Sequence, residues 1–187
     1  MKYGIIYADP PWRYQDKGCN GNCASHYSTM NVADICSLQV NKITDTNCVL
    51  FLWATYPMLP EALEVIKAWG FKYKTIAFQW VKQNMGGQGY FFGLGRWTRG
   101  NTEVCLLATK GHPRRISNRV SQLIMEPIQR HSQKPACVRD KIVELMGDLP
   151  RVELFARQSV DGWGCWGNEV NSTISFAGEE ENGVEGR

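Results

Sequence analysis

The chain has 187 residues, of which 43% are hydrophobic and 21% are charged, and its formal net charge is +3. A chain of this length and composition buries enough apolar surface to fold without staples, which excludes fibrous and low-complexity classes. No apolar run approaches the roughly 18 residues of a spanning helix, and the N-terminus lacks the apolar stretch of a signal peptide. We therefore expect a soluble, cytoplasmic protein with one domain over residues 1–177 and an acidic, disordered tail over 178–187.

Short apolar runs rich in branched and aromatic residues alternate with segments of helical periodicity. In chain order they predict a strand over 3–8, a short helix over 31–38, a strand over 48–53, a helix over 60–69, strands over 75–81 and 104–108, a helix over 135–146 and a strand over 151–156. The nearly continuous hydrophobicity of the strands indicates burial on both faces of a sheet. The alternation predicts an α/β sandwich with a mainly parallel sheet. Three long polar segments, 13–29, 83–100 and 111–134, are predicted as functional loops.

The modest net charge conceals an uneven distribution. The tail over 178–187 carries four Glu and one Arg, so residues 1–177 have a net charge of +6. Between Arg96 and Arg139, nine Lys or Arg face only two Glu. Such a basic stretch indicates a polyanionic partner, and a solvated basic face explains the charge equally well.

The seven cysteines are an odd number in a chain without a secretory signal, so we expect reduced thiols. Cys48 and Cys105 lie inside apolar runs and are predicted to be buried. Cys19, Cys23 and His26 have the spacing of three metal ligands. A structural zinc needs a fourth ligand, which is not evident, so we predict no metal site.

The most informative residues directly follow the first predicted strand: Asp9, Pro10, Pro11 and Trp12. A parallel strand delivers them to the carboxyl edge of the sheet, where sites form in open α/β folds. Two prolines fix φ and cannot donate backbone hydrogen bonds, so their carbonyls point in set directions. An acceptor, a rigid carbonyl and an aromatic plane suit a planar group with an NH2, such as a nucleobase. By itself, the tetrapeptide is also an ordinary turn.

Methyl transfer to an adenine amino group would explain these acceptors. The amino nitrogen is a weak nucleophile because its lone pair is delocalised into the ring. Acceptors at Asp9 and the Pro10 carbonyl would favour the pyramidal amine and stabilise positive charge as it attacks a methyl sulfonium. Trp12 would stack on the ring. Asp9 need not be a strong base, because the proton can leave after methyl transfer.

The sequence Ile-Tyr-Ala-Asp-Pro-Pro-Trp at 6–12 resembles the catalytic motif of the MT-A family of S-adenosylmethionine-dependent adenine-N6 methyltransferases. Further blocks match in the family's order: HYSTM at 26–30, LFLWAT at 50–55, WVK at 80–82, RW at 96–97, EVCL at 103–106, SQKP at 132–135, VELFAR at 152–157 and GNE at 167–169. The resemblance spans about residues 3–170. It implies a Rossmann-like methyltransferase fold in which the catalytic motif precedes the cofactor-binding strand.

The same resemblance assigns S-adenosylmethionine to Lys134, Arg157, Asn168 and Glu169. Lys134 would neutralise the cofactor carboxylate as a point charge, and Asp9 would also accept from the cofactor ammonium. Asn168 and Glu169 carry acceptors suited to ribose hydroxyls. The chain has no G-x-G-x-x-G loop, which argues against a dinucleotide cofactor. Because Asp9 lies so near residue 1, the cofactor adenine is expected to be held by the loop over 13–29.

The resemblance also implies an acceptor side. Tyr27 lies in a loop that closes over cofactor and target base, and Lys82, Arg99 and Glu103 line the acceptor side.

The basic stretch then has a predicted location. Arg114 and Arg115 are expected near the catalytic edge, where they would contact phosphates without reading sequence. Trp97 and Tyr90 would stack an extruded or neighbouring base. The leading prediction is a DNA adenine-N6 methyltransferase, because the compact chain is similar to bacterial and phage DNA enzymes. The alternatives are an RNA substrate, a cytosine amino acceptor, or a non-catalytic nucleic-acid-binding partner, and a homodimer is plausible.

Overall fold

The computed structural model describes residues 1–14, 29–95, 97–129 and 132–176. Its seven strands are β1 (Tyr3–Ala8), β2 (Thr44–Ala54), β3 (Lys72–Gln83), β4 (Thr102–Lys110), β5 (Leu123–Pro127), β6 (Arg151–Leu154) and β7 (Gly164–Trp166). They form one sheet in the order β5-β3-β4-β2-β1-β6-β7. The first strand therefore lies inside the sheet, where its backbone forms hydrogen bonds with β2 on one side and β6 on the other.

One strand runs against the others. β4 is antiparallel to β2 and β3, whereas every other neighbouring pair is parallel. The carboxyl ends of the six parallel strands therefore share one edge with the first residues of β4, and we call it the carboxyl edge. The opposite edge, where β4 ends and the parallel strands begin, is the amino edge.

Helices cover both faces of this sheet. They are α1 (Val32–Ser37), α2 (Leu59–Ala68) and α3 (Cys137–Met146), with 3-10 turns at Val40–Lys42 and Tyr56–Met58. The Asn31 side chain caps α1 by accepting the backbone N–H of Asp34 at 2.8 Å, as favoured at this position. Gly70, with φ of +81°, follows α2 and turns the chain into β3.

Two hydrophobic cores result from this layering. The core between the sheet and the first two helices includes Ile6, Leu50, Ile35, Val65 and Ile66. The core beneath α3 includes Ile5, Tyr7, Phe51, Val138 and Ile142. Consecutive strand residues contribute to opposite cores, as the period of a strand requires. This explains the continuous hydrophobic runs of the sequence.

The predicted α/β sandwich with a mainly parallel sheet is confirmed. Each of the five predicted strands and three predicted helices is present, with bounds that differ by a few residues. Two strands were not predicted, because β5 lies in the segment 111–134 assigned to a loop and β7 has only three residues. Short strands at the ends of a sheet carry little hydrophobic pattern, and their pairing depends on neighbours distant in sequence. The reversal of β4 was not predicted either.

Cys48 and Cys105 are fully buried, as predicted. Among the described residues, no helix is long and apolar enough to cross a membrane. The tail over 178–187, Tyr27, and the trio Cys19, Cys23 and His26 lie outside the described residues. The predictions about them, and the domain boundary at residue 177, stay predictions.

Candidate active site

The end of β1 places Asp9 at the carboxyl edge. Ala8, the last residue of β1, pairs with Leu52 of β2 and Leu154 of β6. The following prolines have fixed carbonyls: that of Pro10 accepts the N–H of Trp12 at 2.9 Å, and that of Pro11 accepts a second backbone N–H at the same distance. Each carbonyl retains a second lone pair for another donor.

Four charged side chains form an alternating network beside Asp9. The Lys134 Nζ lies 2.8 Å from the Asp9 Oδ2 and 3.3 Å from the Glu103 Oε2. The Lys82 Nζ lies 2.5 Å from the Glu103 Oε1. We call Asp9, Lys134, Glu103 and Lys82 the charged network. Two negative and two positive side chains from distant parts of the sequence therefore meet at the carboxyl edge.

The antiparallel course of β4 makes the charged network possible. Glu103 is the second residue of β4 and pairs with Trp80 of β3, two residues before Lys82. Residues two apart on a strand face the same side, so Lys82 and Glu103 share a face of the sheet. A parallel β4 would have carried Glu103 to the amino edge, far from Asp9.

Burial and pairing act differently on the two carboxyl groups. Burial raises the pKa of Asp9, and the charge of Lys134 only partly opposes this effect. Burial would also raise the pKa of Glu103, but Lys134 and Lys82 together outweigh it and hold that pKa below its ordinary value. Burial would lower the pKa of Lys134, but Asp9 and Glu103 raise it. Glu103 is thus the firmly ionised member and keeps Lys134 charged.

Asp9 retains the capacity to accept a further proton donor. Its only hydrogen bond with the described residues is the one from Lys134 to Oδ2, and its side chain is 23% exposed. A carboxylate has about four lone-pair sites. Asp9 can therefore accept from an amine while Lys134 remains bound.

Two aromatic residues with no predicted role, Tyr7 and Trp53, are linked to the charged network. The indole N–H of Trp53 donates to the hydroxyl of Tyr7 at 2.8 Å. The Lys134 Nζ lies 5.6 Å from the centre of the Trp53 ring, within range of a cation–π interaction. Tyr7 lies on β1 two residues before Asp9. This spacing was the one feature of the sequence that could have indicated that Tyr7 lies near the site.

The Trp12 side chain is packed inside the protein and is not exposed at the carboxyl edge. Its indole N–H donates to the backbone carbonyl of Trp53 at 3.1 Å, and the residue is 7% exposed. The ring therefore belongs to the core between the sheet and the first two helices. Stacking of Trp12 on a target base stays a prediction, whereas its hydrogen bond to Trp53 holds the tetrapeptide over 9–12 against β2.

The residues predicted to bind the cofactor follow two adjacent parallel strands. Arg157 follows β6 and Asn168 and Glu169 follow β7, so both turns project from the carboxyl edge. The Arg157 Nε lies 3.7 Å from the Glu169 Oε1, and its positive charge opposes in small part the rise that burial causes in the pKa of Asp9. The turns approach closely, because a Cβ on Gly167 would lie 2.3 Å from the carbonyl oxygen of Ala156.

This set of side chains fits a zwitterionic nucleoside cofactor. Asp9 matches an ammonium, Lys134 matches a carboxylate, and the exposed Asn168 and Glu169 have acceptors for hydroxyls. The described part of the chain has no group of three or more His, Cys, Asp or Glu side chains that could hold a metal ion.

The acceptor-side residues divide into two groups. Lys82 and Glu103 belong to the charged network, whereas Trp97 and Arg99 lie on the exposed loop 84–101 that joins β3 to β4 beyond the carboxyl edge. The loop is anchored by the N–H of Phe91, which donates to the Lys82 carbonyl at 2.9 Å. It exposes a set of large apolar side chains: Met85, Tyr90, Phe92, Leu94 and Trp97. Several large exposed apolar side chains on one loop are typical of an interaction surface.

The expected position of Arg114 and Arg115 near the catalytic edge is wrong. β4 carries the chain to the amino edge, where a Cβ on Gly111 would meet the Thr46 carbonyl at 2.3 Å. Thr46 lies eight residues before Ala54 on β2, which corresponds to roughly 25 Å along a strand. The prediction placed all basic residues after Arg96 together because it did not include the reversal of β4.

The chain is similar in sequence to a known protein family and to several known proteins. The MT-A70 family model matches residues 3–169. The chain is 34% identical to the type II methyltransferase M.MunI of a Mycoplasma species over 90% of this chain and 78% of that protein. It is 29% identical to an MT-A70-like N(6)-adenosine-methyltransferase of Arabidopsis thaliana and 25% identical to the human catalytic subunit METTL3. It spans 24% and 28% of the lengths of these two eukaryotic relatives. The chain therefore belongs to the MT-A70 family of methyltransferases.

Proposed function

We propose that this protein transfers a methyl group from S-adenosylmethionine to the 6-amino nitrogen of adenine in DNA. The observation that carries the proposal is Asp9: a partly buried carboxylate that is paired with Lys134 and still has lone pairs available at the carboxyl edge. Its neighbours Arg157, Asn168 and Glu169 offer the complementary groups for the cofactor. When bound, S-adenosylmethionine would supply an electrophilic methyl group on a positively charged sulfur.

The side chains would act by orienting the amine and stabilising charge. Asp9 would accept one amino hydrogen of adenine, and the Pro10 carbonyl would accept the other through its second lone pair. The nitrogen would bond to the methyl carbon while the bond from that carbon to sulfur breaks and leaves its electron pair on a neutral thioether. The nitrogen would then become positively charged, and the nearby carboxylate would stabilise that charge most strongly in the transition state. The excess proton then leaves the nitrogen for Asp9 or solvent.

Lys134 and Glu103 would prepare Asp9 for this role. Burial raises the pKa of Asp9, and Lys134 opposes that rise and so favours the ionised carboxylate. Glu103 holds the ammonium of Lys134 from the other side at 3.3 Å, so the position of Lys134 does not depend on Asp9 alone. Such a preorganised arrangement avoids reorganisation of the charges during the reaction.

The relatives favour DNA over RNA. M.MunI is a type II methyltransferase and shares most of its length with this chain. The eukaryotic relatives, named as adenosine methyltransferases, share about a quarter of theirs. We infer that the loop 84–101, with Trp97 and Arg99, contacts the nucleic acid beside the target base. The similarity to a type II methyltransferase of a Mycoplasma species supports a cytoplasmic location, and the homodimer stays a prediction.

A methyl-transfer assay tests the proposal. The purified protein is incubated with methyl-labelled S-adenosylmethionine and with unmodified genomic DNA, denatured genomic DNA or RNA transcribed from the same fragments, so that no recognition sequence is assumed. We expect label in double-stranded DNA, recovered as N6-methyladenine after digestion to nucleosides. Label in RNA alone would favour the second candidate, and label in cytosine would contradict the adenine assignment. No transfer to any acceptor by folded protein that binds the cofactor would contradict the enzymatic role.

A further inference from the structure

The amino edge contains a concave surface that the catalytic proposal does not use. The chain leaves β4 at Lys110 and turns back over the start of β3. The turn and the strand enclose an open cavity of about 420 Å³, which is lined by Lys74, Thr109, Gly111, His112, Pro113 and Arg114. Arg115 lines a more apolar cavity nearby. We call Lys74, His112, Arg114 and Arg115 the amino-edge basic surface.

The charges of this surface are unbalanced. All four of its residues are exposed, and none of them forms an ion pair with any described residue. Two acidic residues near this edge have partners outside the surface. The Asp148 carboxylate binds Arg151 at 2.6 Å, and the Asp45 carboxylate accepts the backbone N–H of Thr46. No acidic residue lines the cavity, so Lys74 and Arg114 give its lining a net positive charge.

The backbone beneath these charges is firmly held. Gly111 has a φ of +65°, and a Cβ at this position would meet the carbonyl of Thr46 and the side chain of Asn47 at 2.3 and 2.5 Å. The N–H of His112 donates to the Asn47 side chain at 2.7 Å, and that of Ile116 donates to the Leu145 carbonyl at 2.8 Å. Only glycine fits this turn. The basic side chains thus project from a preorganised loop, which lowers the entropy cost of binding.

We propose that the amino-edge basic surface is a second nucleic-acid-binding surface, roughly 25 Å from the catalytic edge, that contacts phosphates without reading sequence. The proposal rests on the proposed function in one respect, that nucleic acid is the substrate. The cations are exposed and spread over a strand and a loop, whereas a site for one small anion gathers buried donors on a single point. A strand of duplex DNA presents one phosphate for about every 3.4 Å along the helix axis, and a row of phosphates suits a spread arrangement of cations.

Such a surface would act as a tether. A long nucleic acid bound at the amino edge remains attached while the carboxyl edge releases one segment and captures another. The second binding event becomes intramolecular, with an effective concentration set by the intervening nucleic acid. The binding would be strongly dependent on salt, because each phosphate contact releases condensed counter-ions.

The salt dependence of binding tests the proposal with a matched control. Affinity for a 60-base-pair duplex is measured by fluorescence anisotropy over a range of salt concentrations for the wild type, Lys74→Gln and the double variant Lys74→Gln/Arg114→Gln. Lys67→Gln on the exposed surface of α2 is the control, since it makes the same chemical change away from this surface. We expect the double variant to bind about tenfold more weakly at low salt and to lower the slope of log affinity against log salt by about 1 to 2.

Equal slopes for the double variant and Lys67→Gln would overturn the proposal. Cross-linking gives a second readout: a duplex with photoreactive phosphate groups should label the peptide over residues 110–116 as well as the carboxyl edge. Labelling confined to the carboxyl edge would also overturn the proposal. So would a double variant that binds anionic lipid vesicles more weakly than the wild type does but binds the duplex equally well. If the double variant has the wild-type slope and the wild-type protein transfers methyl groups, only the proposed surface is refuted. A reduced slope without methyl transfer to any acceptor refutes only the proposed function.

Discussion

Basic side chains lie at both edges of the sheet, but they are paired and largely buried at the carboxyl edge and exposed at the amino edge. At the carboxyl edge, Lys82 and Lys134 are largely buried and share the carboxylate of Glu103. At the amino edge, Lys74 and Arg114 are exposed and have no ion-pair partner among the described residues. Buried charges need partners to offset their desolvation, whereas exposed charges remain solvated and available to a polyanion. The same residue types are therefore suited to positioning at one edge and to binding at the other.

The largest expected effect is the loss of methyl transfer on removal of the Asp9 carboxylate. Asp9→Ala deletes the acceptor that stabilises charge on the amine, so kcat should fall by at least about 10²- to 10³-fold. Binding of nucleic acid, measured by anisotropy, should change little. Asp45→Ala is the control, because it removes an exposed carboxylate at the amino edge. Near-normal turnover of Asp9→Ala would refute the assigned role.

Removal of the shared carboxylate should destabilise the carboxyl edge. Glu103→Gln keeps the shape of the side chain but leaves two largely buried lysines without its charge, so the free energy of unfolding should fall by about 2–3 kcal/mol. Urea unfolding followed by fluorescence measures the change. Adding Lys82→Met should recover part of the loss, because it removes one of the uncompensated charges. An unchanged midpoint in Glu103→Gln would show that the network is not energetically coupled.

The pH dependence of activity should report the raised pKa of Asp9. As the pH falls through that pKa, Asp9 gains a proton and ceases to be a negatively charged acceptor, so kcat/KM should decline at a higher pH than for an ordinary aspartate with a pKa of about 3.9. The pKa of Glu103 is lowered, so its stabilising effect is present above its ordinary pKa and is lost only as the pH falls further. Activity should therefore be lost before the fold, which circular dichroism can check at each pH. A decline that coincides with unfolding would contradict the prediction.

The smallest expected effect is on stability at the amino edge. Lys74→Gln/Arg114→Gln removes two exposed charges without ion-pair partners, so the free energy of unfolding should change by less than about 0.5 kcal/mol. Urea unfolding of this variant beside Glu103→Gln compares the two edges directly. A loss as large as that of Glu103→Gln would mean that the amino-edge charges are structural rather than available for binding.

Much of the fold and part of the site could be predicted from local sequence. The runs that became β1 and β2 are long and apolar, and Asn31 and Gly70 mark the ends of helices by their own chemistry. Asp9 was identifiable because it directly follows such a run. The supporting role of Trp53 could not be found in this way, since it depends on a hydroxyl 46 residues away in sequence and on an ammonium from yet another segment.

The sequence by itself determined the alternation of strands and helices, the position of the tetrapeptide over 9–12 directly after a strand, and the family resemblance, because these depend on the order of nearby residues. Only the tertiary structure decided which charges meet. The antiparallel insertion of β4 brings Glu103 to Asp9 and carries Arg114 to the opposite edge, although the two residues are eleven positions apart. Strand direction results from pairing with distant neighbours, and no local pattern of residues records it. The basic stretch that looked like one surface in the sequence is therefore divided between two edges of the sheet.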